Sequence, residues 1–401
     1  MSEFVMQLPR DVLFIIEKMK EAGFSAHVVG GSVRDALIGR ECGDIDITTN
    51  ALPEETKKVF SGYRIIETGI KHGTVTIVLG TDQYEITTYR VDGDYKDGRH
   101  PDSVTFTPLL REDLMRRDFT VNAMAYSPES GIVDPFGGRE DADIGLIRAV
   151  GDPYRRFDED ALRILRALRF AAVLGFKIED LTAKAIRDCS PKLSLISKER
   201  IYTELKKLIM GKDAMRILTE YSDVIAPMLL DLKIKNLPRQ ELFDRAELCT
   251  RFSALFLLNS HAPTEHIYYA FTDLKTDKLT RDRVTDAIEV YDAVTFENVI
   301  ETLKHLANFG RETVEDTLKL GALLERFGQR EEKIYKEALG SGIPYTISGL
   351  DVRGGDISSL GLKGERIGEA LKSLLYAVIN GDVKNERDAL LSYIKKEICT
   401  P

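Results

Sequence analysis

The distribution of strand and helix signals along the chain most constrains its fold. Alternating or β-branched runs typical of strands occur before about residue 150, at AHVVGG, DIDITT, GTVTIVL and YEITTYR. Helical patterns lie among them at residues 11–23, DALIGR and PEETKKVF. From about residue 156 nearly everything is helical in pattern, with no convincing strand to the end. These signals predict an α+β protein, with a small mixed-sheet head followed by an all-helical body and tail.

The length of the chain agrees with a division into several domains. A chain of 401 residues is too long for one compact core. We predict a catalytic head at residues 1–150, a helical neck at 151–215 and a helical body and tail at 216–401.

Composition and sequence patterns limit the cellular compartments in which we expect this protein. The chain is 43% hydrophobic and 30% charged, as in ordinary globular proteins. The start MSEFVMQLPRDVLF lacks the features of a secretory signal, and no apolar stretch approaches the length of a membrane span. The four cysteines show no CxxC or Cys/His ligand spacing, which argues against structural zinc. We expect a cytoplasmic protein with no membrane segment and reduced thiols.

Charge is unevenly distributed. The net charge of −9 disfavours a nucleic-acid binder when the chain is taken as a whole. Between Arg155 and Arg216, however, 15 lysines and arginines stand against nine acidic residues. This local excess favours contact with phosphates, and a solvated helical face is the alternative interpretation.

Two aspartates share one apolar strand signal. In DIDITT, Asp44 and Asp46 are two residues apart, so an extended chain points both to the same side. Like charges this close raise each other's pKa unless a cation lies between them. Aspartate is also a poor strand former, so the pattern favours a site for a hard divalent cation such as Mg²⁺. A solvated strand end is the alternative.

A third carboxylate is expected near this pair. Two-metal phosphoryl transfer generally uses one more acidic side chain to help hold the metal that activates the attacking oxygen. Glu85 is the best candidate, because it lies on the later strand YEITTYR and alternates there with Ile86. The alternative is an exposed edge glutamate.

Two glycines precede the aspartates. Gly30 and Gly31 lie where a strand gives way to a helix, and missing side chains there let backbone N–H groups approach phosphate oxygens. Arg34, one turn later, could reach the same anion. Neither GxxxxGK[ST] nor a GxGxxG that opens a βαβ unit occurs. A pair of glycines is more often a tight turn, but followed by Asp44 and Asp46 it predicts a phosphate cradle beside a metal site.

A polar cluster follows in LMRRDFTVNAMAY. Arg116 and Arg117 offer guanidinium donors for a triphosphate, and Asp118 and Asn122 offer a carboxylate and an amide for sugar hydroxyls. A helix start with ordinary salt bridges is the alternative.

The stretch DEDALRILRALRF, residues 158–170, is the most informative. As one continuous helix it places Asp160 and Arg163 on one face, with Arg166 one step further along. Cytosine and adenine each present an amino donor beside a ring-nitrogen acceptor, whereas guanine and uracil present the reverse. A carboxylate beside a guanidinium therefore pairs with C or A and mismatches G or U. The alternative is a surface salt bridge.

Taken in order, these motifs resemble those of the class II tRNA nucleotidyltransferases, the CCA-adding enzymes, within the DNA polymerase β-like nucleotidyltransferase superfamily. The matching segments, over about residues 28–205, are GGSVRD with DID, RRDFTVNAM, DPFGGRED leading to IRAVG, EDALR with Arg166 and Arg169, and SKERIYTEL. The later helical stretch matches only loosely. After DID the chain has TGIKHGTVTIVLG, as CCA-adding members do, where bacterial poly(A) polymerases usually carry a basic G[RK][RK]F-like signature.

The resemblance implies a role for each candidate residue. Asp44 and Asp46 would bind catalytic Mg²⁺, with Glu85 as the third carboxylate. The incoming nucleotide would bind through residues assigned to its phosphates (Gly31, Arg34, Arg117), its ribose (Asp118) and its base (Asp160, Arg163), with Arg166 and Arg169 nearby and Glu159 positioning the base-reading pair. The family's mobile loop resembles TYRVDGDYKDGRHP, residues 88–101, and is associated with the switch from C to A addition.

The implied function is template-independent addition of C, C and A to the tRNA 3′ end from CTP and ATP, with release of pyrophosphate. The helical tail would grip the tRNA by shape and phosphate contacts, and no stable protein partner is implied. One alternative is a related enzyme with another product, either A-only addition to tRNA or poly(A) synthesis. An alternative of another class is a non-catalytic RNA-binding protein.

Overall fold

The computed structural model of the chain describes residues 4–93 and 104–399. Internal contacts divide the chain into two compact units, Met1–Ile225 and Ala226–Pro401. The boundary lies beyond residue 215, so the predicted head and neck fall in one unit. The separation of a neck from the head stays a prediction.

All the strands among the described residues belong to the first unit. They are β1 (Ala26–Val29), β2 (Asp46–Thr49), β3 (Arg64–Ile66), β4 (Thr74–Leu79), β5 (Asp82–Thr88), β6 (Arg90–Asp92), β7 (Val104–Phe106), β8 (Ala125–Ser127), β9 (Gly131–Val133), β10 (Leu146–Ile147) and β11 (Lys177–Ile178). Seven of them form one sheet in the order β3-β4-β5-β2-β1-β8-β9, and the pairs β6-β7 and β10-β11 form two small ribbons.

The large sheet is mixed, as the sequence predicts. β2 pairs antiparallel with β1 and parallel with β5, with Ile47 opposite Ile86, and the remaining pairs in this sheet are antiparallel. Ile47 and Ile86 are both buried in the core of the head. Asp46 and Glu85 each lie one residue earlier on these strands. Because side chains alternate along a strand, both point to the face opposite the core and are neighbours there.

Two predictions about strands are wrong in detail. β2 begins at Asp46, and Asp44 precedes it in a bend, so the two aspartates do not share one strand. A strand also occurs after residue 156, because β11 pairs in parallel with β10. A two-residue strand is too short to produce a period-2 pattern that the sequence could reveal.

Part of the predicted mobile loop, residues 88–101, is strand. Thr88 ends β5, and β6 pairs antiparallel with β7. Residues 94–101 of the predicted loop lie outside the described residues.

The helices of the first unit surround the sheet and continue beyond it. They are α1 (Arg10–Glu21), α2 (Gly31–Leu37), α3 (Pro53–Val59), α4 (Leu110–Met115), α5 (Gly138–Asp143), α6 (Pro153–Glu159), α7 (Leu162–Leu174), α8 (Asp180–Cys189), α9 (Lys198–Ile209), α10 (Ala214–Glu220) and α11 (Ser222–Ile225). Short 3₁₀ turns occur at Ile70–His72, Thr120–Asn122 and Ser190–Leu195. On α1, Val12, Ile15 and Met19 recur at helical spacing and are buried in the head core.

The second unit has helices and no strand among its described residues. Its helices are α12 (Gln240–Arg245), α13 (Leu248–Asn259), α14 (Thr264–Asp273), α15 (Lys278–Glu289), α16 (Val299–Phe309), α17 (Arg311–Leu323), α18 (Gln329–Gly340), α19 (Gly354–Ser358), α20 (Glu365–Asn380) and α21 (Arg387–Cys399), with 3₁₀ turns at Ala226–Met228 and Ile347–Gly349. A buried cluster that includes Phe296, Leu303, Leu374 and Leu390 forms a core of its own. Over residues 4–93 and 104–399, no helix combines the length and apolarity needed to cross a membrane.

Candidate active site

One cavity of the first unit collects most of the predicted nucleotide-binding residues. It has a volume of about 320 Å³ and is lined by Gly30, Gly31, Arg34, Asp46, Arg116, Arg117, Asp118, Asn122, Asp160, Arg163, Arg166 and Phe170. The lining comes from three parts of the sequence: the start of α2 with β2, the segment after α4, and the junction of α6 with α7. Segments far apart in sequence therefore form one wall.

The two glycines let arginine side chains lie over the backbone. Gly30 has φ +82° and precedes α2, a backbone conformation that L side chains rarely adopt. A Cβ atom at Gly30 would lie 3.0 Å from Nη1 of Arg117, and one at Gly31 would lie 3.4 Å from Nη2 of Arg34. Side chains at these positions would crowd the guanidinium groups that face the cavity.

A chain of hydrogen bonds joins the residues of the cavity wall. Nη1 of Arg34 donates to Oδ1 of Asn122 at 2.6 Å, and Nδ2 of Asn122 donates to Oδ1 of Asp118 at 3.1 Å. Nε of Arg166 donates to Oδ2 of Asp118 at 2.8 Å. Arg34 also pairs with Asp35 at 2.9 Å. The network fixes the orientation of each member before a nucleotide arrives.

Asp118 is the electrostatic centre of this network. Burial acts to raise the pKa of its carboxyl group, but the charge of Arg166, the hydrogen bond from Asn122 and the charge of Arg163 outweigh burial and lower the pKa to about 2. The carboxylate is therefore ionised at neutral pH and can accept hydrogen bonds from hydroxyl groups.

A buried carboxylate supports the two adjacent arginines. Asp113 of α4 is fully buried. Its Oδ1 accepts from Nε of Arg116 at 3.0 Å, and its Oδ2 lies 3.4 Å from Nη2 of Arg117. Burial raises the pKa of Asp113, but the charges of Arg116 and Arg117 prevail and lower it. Sequence reasoning missed this residue, although its position three and four residues before the arginines is the spacing of a helical ion pair.

The predicted continuous helix over residues 158–170 is wrong. α6 ends at Glu159 and α7 begins at Leu162, and Asp160 between them is extended, with φ −146° and ψ 105°. The break is stabilised by the Asp160 side chain, whose Oδ1 accepts from the backbone N–H of Leu162 at 3.0 Å. Aspartate favours such local bonds over the helix interior. The leucines of α7 are buried, as the periodicity predicts.

Asp160 and Arg163 both line the cavity, yet the structure gives them different partners. Oδ2 of Asp160 accepts from Nη2 of Arg200 at 2.7 Å. Nη1 of Arg163 donates to Oε2 of Glu159 at 2.7 Å, and Nη2 of Arg163 donates to the carbonyl of Arg116 at 3.0 Å. Glu159 lies behind the cavity wall, where it holds Arg163.

The aromatic ring of Phe170, which lines the cavity, lies within cation–π distance of three arginines. The guanidinium carbons of Arg34, Arg166 and Arg169 lie 5.1, 5.4 and 3.8 Å from the centre of the Phe170 ring. Such contacts are typical of cation–π packing. Arg169 is placed behind the lining residues and pairs with buried Glu204 of α9 at 2.6 Å. Phe170 was not predicted as a site residue, because an aromatic in an apolar helix reads as core.

The predicted metal ligands line an adjoining cleft. Asp44, Asp46 and Glu85 line this cleft of about 630 Å³, and Asp46 lines both it and the first cavity. Desolvation by the surrounding protein, and then the charge of Asp44, raise the pKa of Asp46 against the opposing charge of Arg117. Carboxylate oxygens under mutual repulsion fit a hard divalent cation.

In the described parts of the chain, no three acidic, histidine or cysteine side chains stand close enough together to hold a metal ion. The joint role of Asp44, Asp46 and Glu85 as ligands therefore stays a prediction.

Comparison with known families assigns most of the chain. Residues 26–148 match the Poly A polymerase head domain, and residues 175–223 match a probable RNA and SrmB-binding site of polymerase A. Residues 245–394 match a putative tRNA nucleotidyltransferase domain 2. The first match covers the sheet and both glycines, and the last covers most of the second unit.

Whole proteins are similar over nearly their full length. A CCA-adding enzyme of Leuconostoc mesenteroides is 36% identical over 98% of this chain and 98% of its own, and one of Streptococcus gordonii is 36% identical over 99% and 98%. The solved structure of the Bacillus stearothermophilus CCA-adding enzyme in complex with CTP has a TM-score of 0.84 at 32% identity, covering 98% of this chain and 99% of that one. The Thermotoga maritima enzyme complexed with tRNA has the same fold, with a TM-score of 0.67 at 22% identity.

Proposed function

The chain belongs to the family of CCA-adding enzymes, and we propose that it completes the 3′ end of tRNA by adding C, C and A from CTP and ATP with release of pyrophosphate. The observation that carries this proposal is the cavity that brings Gly30 and Gly31, Asp46, and Asp160 with Arg163 into one wall. Phosphate-binding, reacting and base-reading groups thus surround a single volume.

The triphosphate binds where the guanidinium groups converge. Gly30 and Gly31 present no side chain at the start of α2, and Arg34 and Arg117 flank them. Arginine donates paired hydrogen bonds to phosphate oxygens. Ion pairs with Asp35 and Asp113 hold the two guanidinium groups in place, so little side-chain entropy is lost when the phosphates bind.

The sugar binds beside these arginines. The ionised carboxylate of Asp118 accepts a hydrogen bond from a ribose hydroxyl. The side-chain amide of Asn122, which donates to that carboxylate, lies beside it. Arg166, fixed to Asp118, keeps that carboxylate turned toward the cavity.

The base is read by Asp160 and Arg163. The carboxylate accepts from the exocyclic amino group of cytosine or adenine, and the guanidinium donates to the neighbouring ring nitrogen. Uracil and guanine present the opposite pattern and would leave a buried donor or acceptor unpaired, which costs roughly 1–3 kcal/mol for each group. Specificity for C and A then requires no nucleic-acid template.

Asp44, Asp46 and Glu85 would hold divalent cations, for which Mg²⁺ is the best candidate because all the donors are carboxylate oxygens. When bound, such ions supply activation of the primer's 3′-hydroxyl and charge stabilisation of the leaving pyrophosphate. The protein's own contribution is to orient the nucleotide so that its α-phosphate lies beside Asp46.

The tRNA is held by the helical parts of the chain. Two matches support this: residues 175–223 resemble an RNA-binding segment, and residues 245–394 resemble a tRNA nucleotidyltransferase domain. The excess of lysine and arginine between Arg155 and Arg216 supplies charge for phosphate contacts. We place this reaction in the cytoplasm, because the relatives of this chain are enzymes that process tRNA.

The test is extension of a tRNA that ends at the discriminator base, one nucleotide at a time. CTP alone should add two residues, ATP should add one more only afterwards, and UTP and GTP should add none. Failure to extend with CTP would indicate an A-only enzyme. Long tails with ATP would indicate a poly(A) polymerase, and tRNA binding without extension would indicate a non-catalytic protein.

A further inference from the structure

The carboxylate of Asp160 is held from two sides. Its Oδ1 accepts from the backbone N–H of Leu162 at 3.0 Å, and its Oδ2 accepts from Nη2 of Arg200 at 2.7 Å. Arg200 belongs to α9, and its side chain and that of Asp160 are 23% and 15% exposed. Arg200 stands behind the carboxylate, outside the wall of the cavity as the described residues define it.

We propose that Arg200 is a positioning residue that sets nucleotide selectivity by holding the Asp160 carboxylate in its base-reading orientation. This inference rests on the proposed function, in which Asp160 accepts from the amino group of C or A. Arg200 is not among the residues that line the cavity, so in this proposal it acts only through Asp160.

The first argument is that Arg163 is engaged elsewhere. Its Nη1 donates to Oε2 of Glu159 and to the carbonyl of Arg156, at 2.7 and 3.2 Å, and its Nη2 donates to the carbonyl of Arg116 at 3.0 Å. The base-reading pair is thus oriented by two separate sets of contacts. Glu159 binds the guanidinium group of Arg163, and Arg200 binds the carboxylate of Asp160.

The second argument concerns the local backbone. Asp160 lies in an extended break between two helices, where its neighbours do not restrict the side chain as a helix would. The bond from Leu162 restrains the carboxylate at one oxygen only, and rotation about the Cβ–Cγ bond moves both oxygens and would break that bond. The bond from Arg200 restrains the second oxygen and opposes the same rotation.

The third argument concerns hydrogen-bonding capacity. Each oxygen of an ionised carboxylate can accept two hydrogen bonds. Oδ1 and Oδ2 each accept one from the protein, so each keeps a lone pair for the base. A carboxylate without this support could turn its remaining lone pairs away from the base. Restraint by an arginine, which donates but never accepts, favours the acceptor role.

The experiment compares Arg200→Met, Arg200→Lys and the control Glu199→Gln, an exposed change on the same helix. The readout is the ratio of kcat/KM for CTP over UTP at the first added position and for ATP over GTP at the last. Arg200→Met should lower both ratios by about tenfold to a hundredfold, the range expected when a site residue loses its support. Arg200→Lys keeps the charge without the planar fork and should give intermediate ratios. Glu199→Gln should leave both ratios unchanged.

A purely structural salt bridge predicts a different result. Arg200→Met would then lower Tm and reduce kcat/KM for all four nucleotides equally, with both ratios unchanged. That result would overturn the proposal. If Arg200→Met does not fold, Arg200→Lys alone decides, because unchanged ratios in that variant also contradict a positioning role.

The Asp160→Ala variant separates this inference from the function it rests on. If Asp160→Ala loses discrimination and Arg200→Met keeps it, the positioning role fails and the base-reading role stands. If Asp160→Ala itself keeps full discrimination, the base-reading role fails. If the base-reading role of Asp160 and the positioning role of Arg200 are both right, adding Arg200→Met to Asp160→Ala should change the ratios no further, since Arg200 acts only through that carboxylate.

Discussion

Arg166 and Asp118 form an ion pair of 2.6 Å that joins helix α7 to the segment after α4. The two residues are 48 positions apart in sequence, and both line the cavity. Arg166 lies in the segment that we propose reads the base, and Asp118 lies in the segment that we propose binds the sugar. The geometry of the two parts is therefore coupled through a charged pair.

This coupling should appear in the pH dependence of stability. The pKa of Asp118 is about 2 in the folded chain, below the value of about 3.9 expected when unfolded. Its contribution is thus fully present above about pH 4 and is lost as the pH falls toward 2. Asp118→Asn should lower the free energy of unfolding by about 2 kcal/mol at pH 7, and the difference from wild type should shrink between pH 4 and pH 2.

Circular dichroism in urea would measure this effect, because the chain has no tryptophan for fluorescence. Asp143→Asn, a change at an exposed position of α5, is the matched control and should show a small difference that is independent of pH. A constant gap between wild type and Asp118→Asn over the whole range would contradict the assignment.

The aspartates of the acidic cleft should be required for chemistry and not for tRNA binding. Asp44→Ala and Asp46→Ala should each lower nucleotide incorporation by roughly a thousandfold or more, because the cation ligands are lost. Binding of tRNA in a gel-shift assay should stay within about twofold, since neither side chain belongs to the basic helices. Glu41→Ala, an exposed acidic residue nearby, serves as the control. Normal incorporation by Asp46→Ala would exclude the metal role.

Arg163 should affect selection more than affinity. Arg163→Ala removes the donor to the ring nitrogen, so the preference for C and A over U and G should fall by about tenfold to a hundredfold. The KM for CTP should rise less, because Arg34 and Arg117 still hold the phosphates. Single-nucleotide incorporation kinetics would measure both, with Arg64→Ala, an exposed arginine of β3, as the control. Retention of full discrimination would show that the guanidinium does not read the base.

Gly30 should tolerate no side chain. Gly30→Ala meets an unfavourable φ of +82° and places a Cβ atom 3.0 Å from Nη1 of Arg117, so we expect a loss of about 1–3 kcal/mol in stability and a higher KM for CTP. Gly39→Ala is the matched control, because Gly39 also has a positive φ, +68°, but has open space around the added atom. Thermal unfolding and CTP titration would separate the two. Equal KM values for the variants would mean that Arg117 does not contact the phosphates.

The sequence predicted the fold class and most residues of the cavity wall, because hydrophobic periodicity and charged clusters are local signals. It failed where long-range contacts decide. The break at Asp160 depends on a hydrogen bond to Leu162 and on Arg200, which lies 40 positions later. Asp113 and Phe170 escaped attention because a buried carboxylate and a helical aromatic resemble ordinary core and surface residues until their neighbours are known. Asp44 fell outside β2 since strand pairing sets the first residue of a strand.

The break between α6 and α7 also affects how one protein surface can suit two bases of unequal size. In a nucleic-acid template, the two groups that recognise a base belong to one rigid ring. In the proposed site the acceptor, Asp160, lies on an extended residue bonded to α9, and the donor, Arg163, lies in the first turn of α7 and is bonded to α6. Because different residues hold the two side chains, their orientations are not dictated by helical geometry alone. A pyrimidine and a purine that share the same polar edge can therefore meet one pair of side chains.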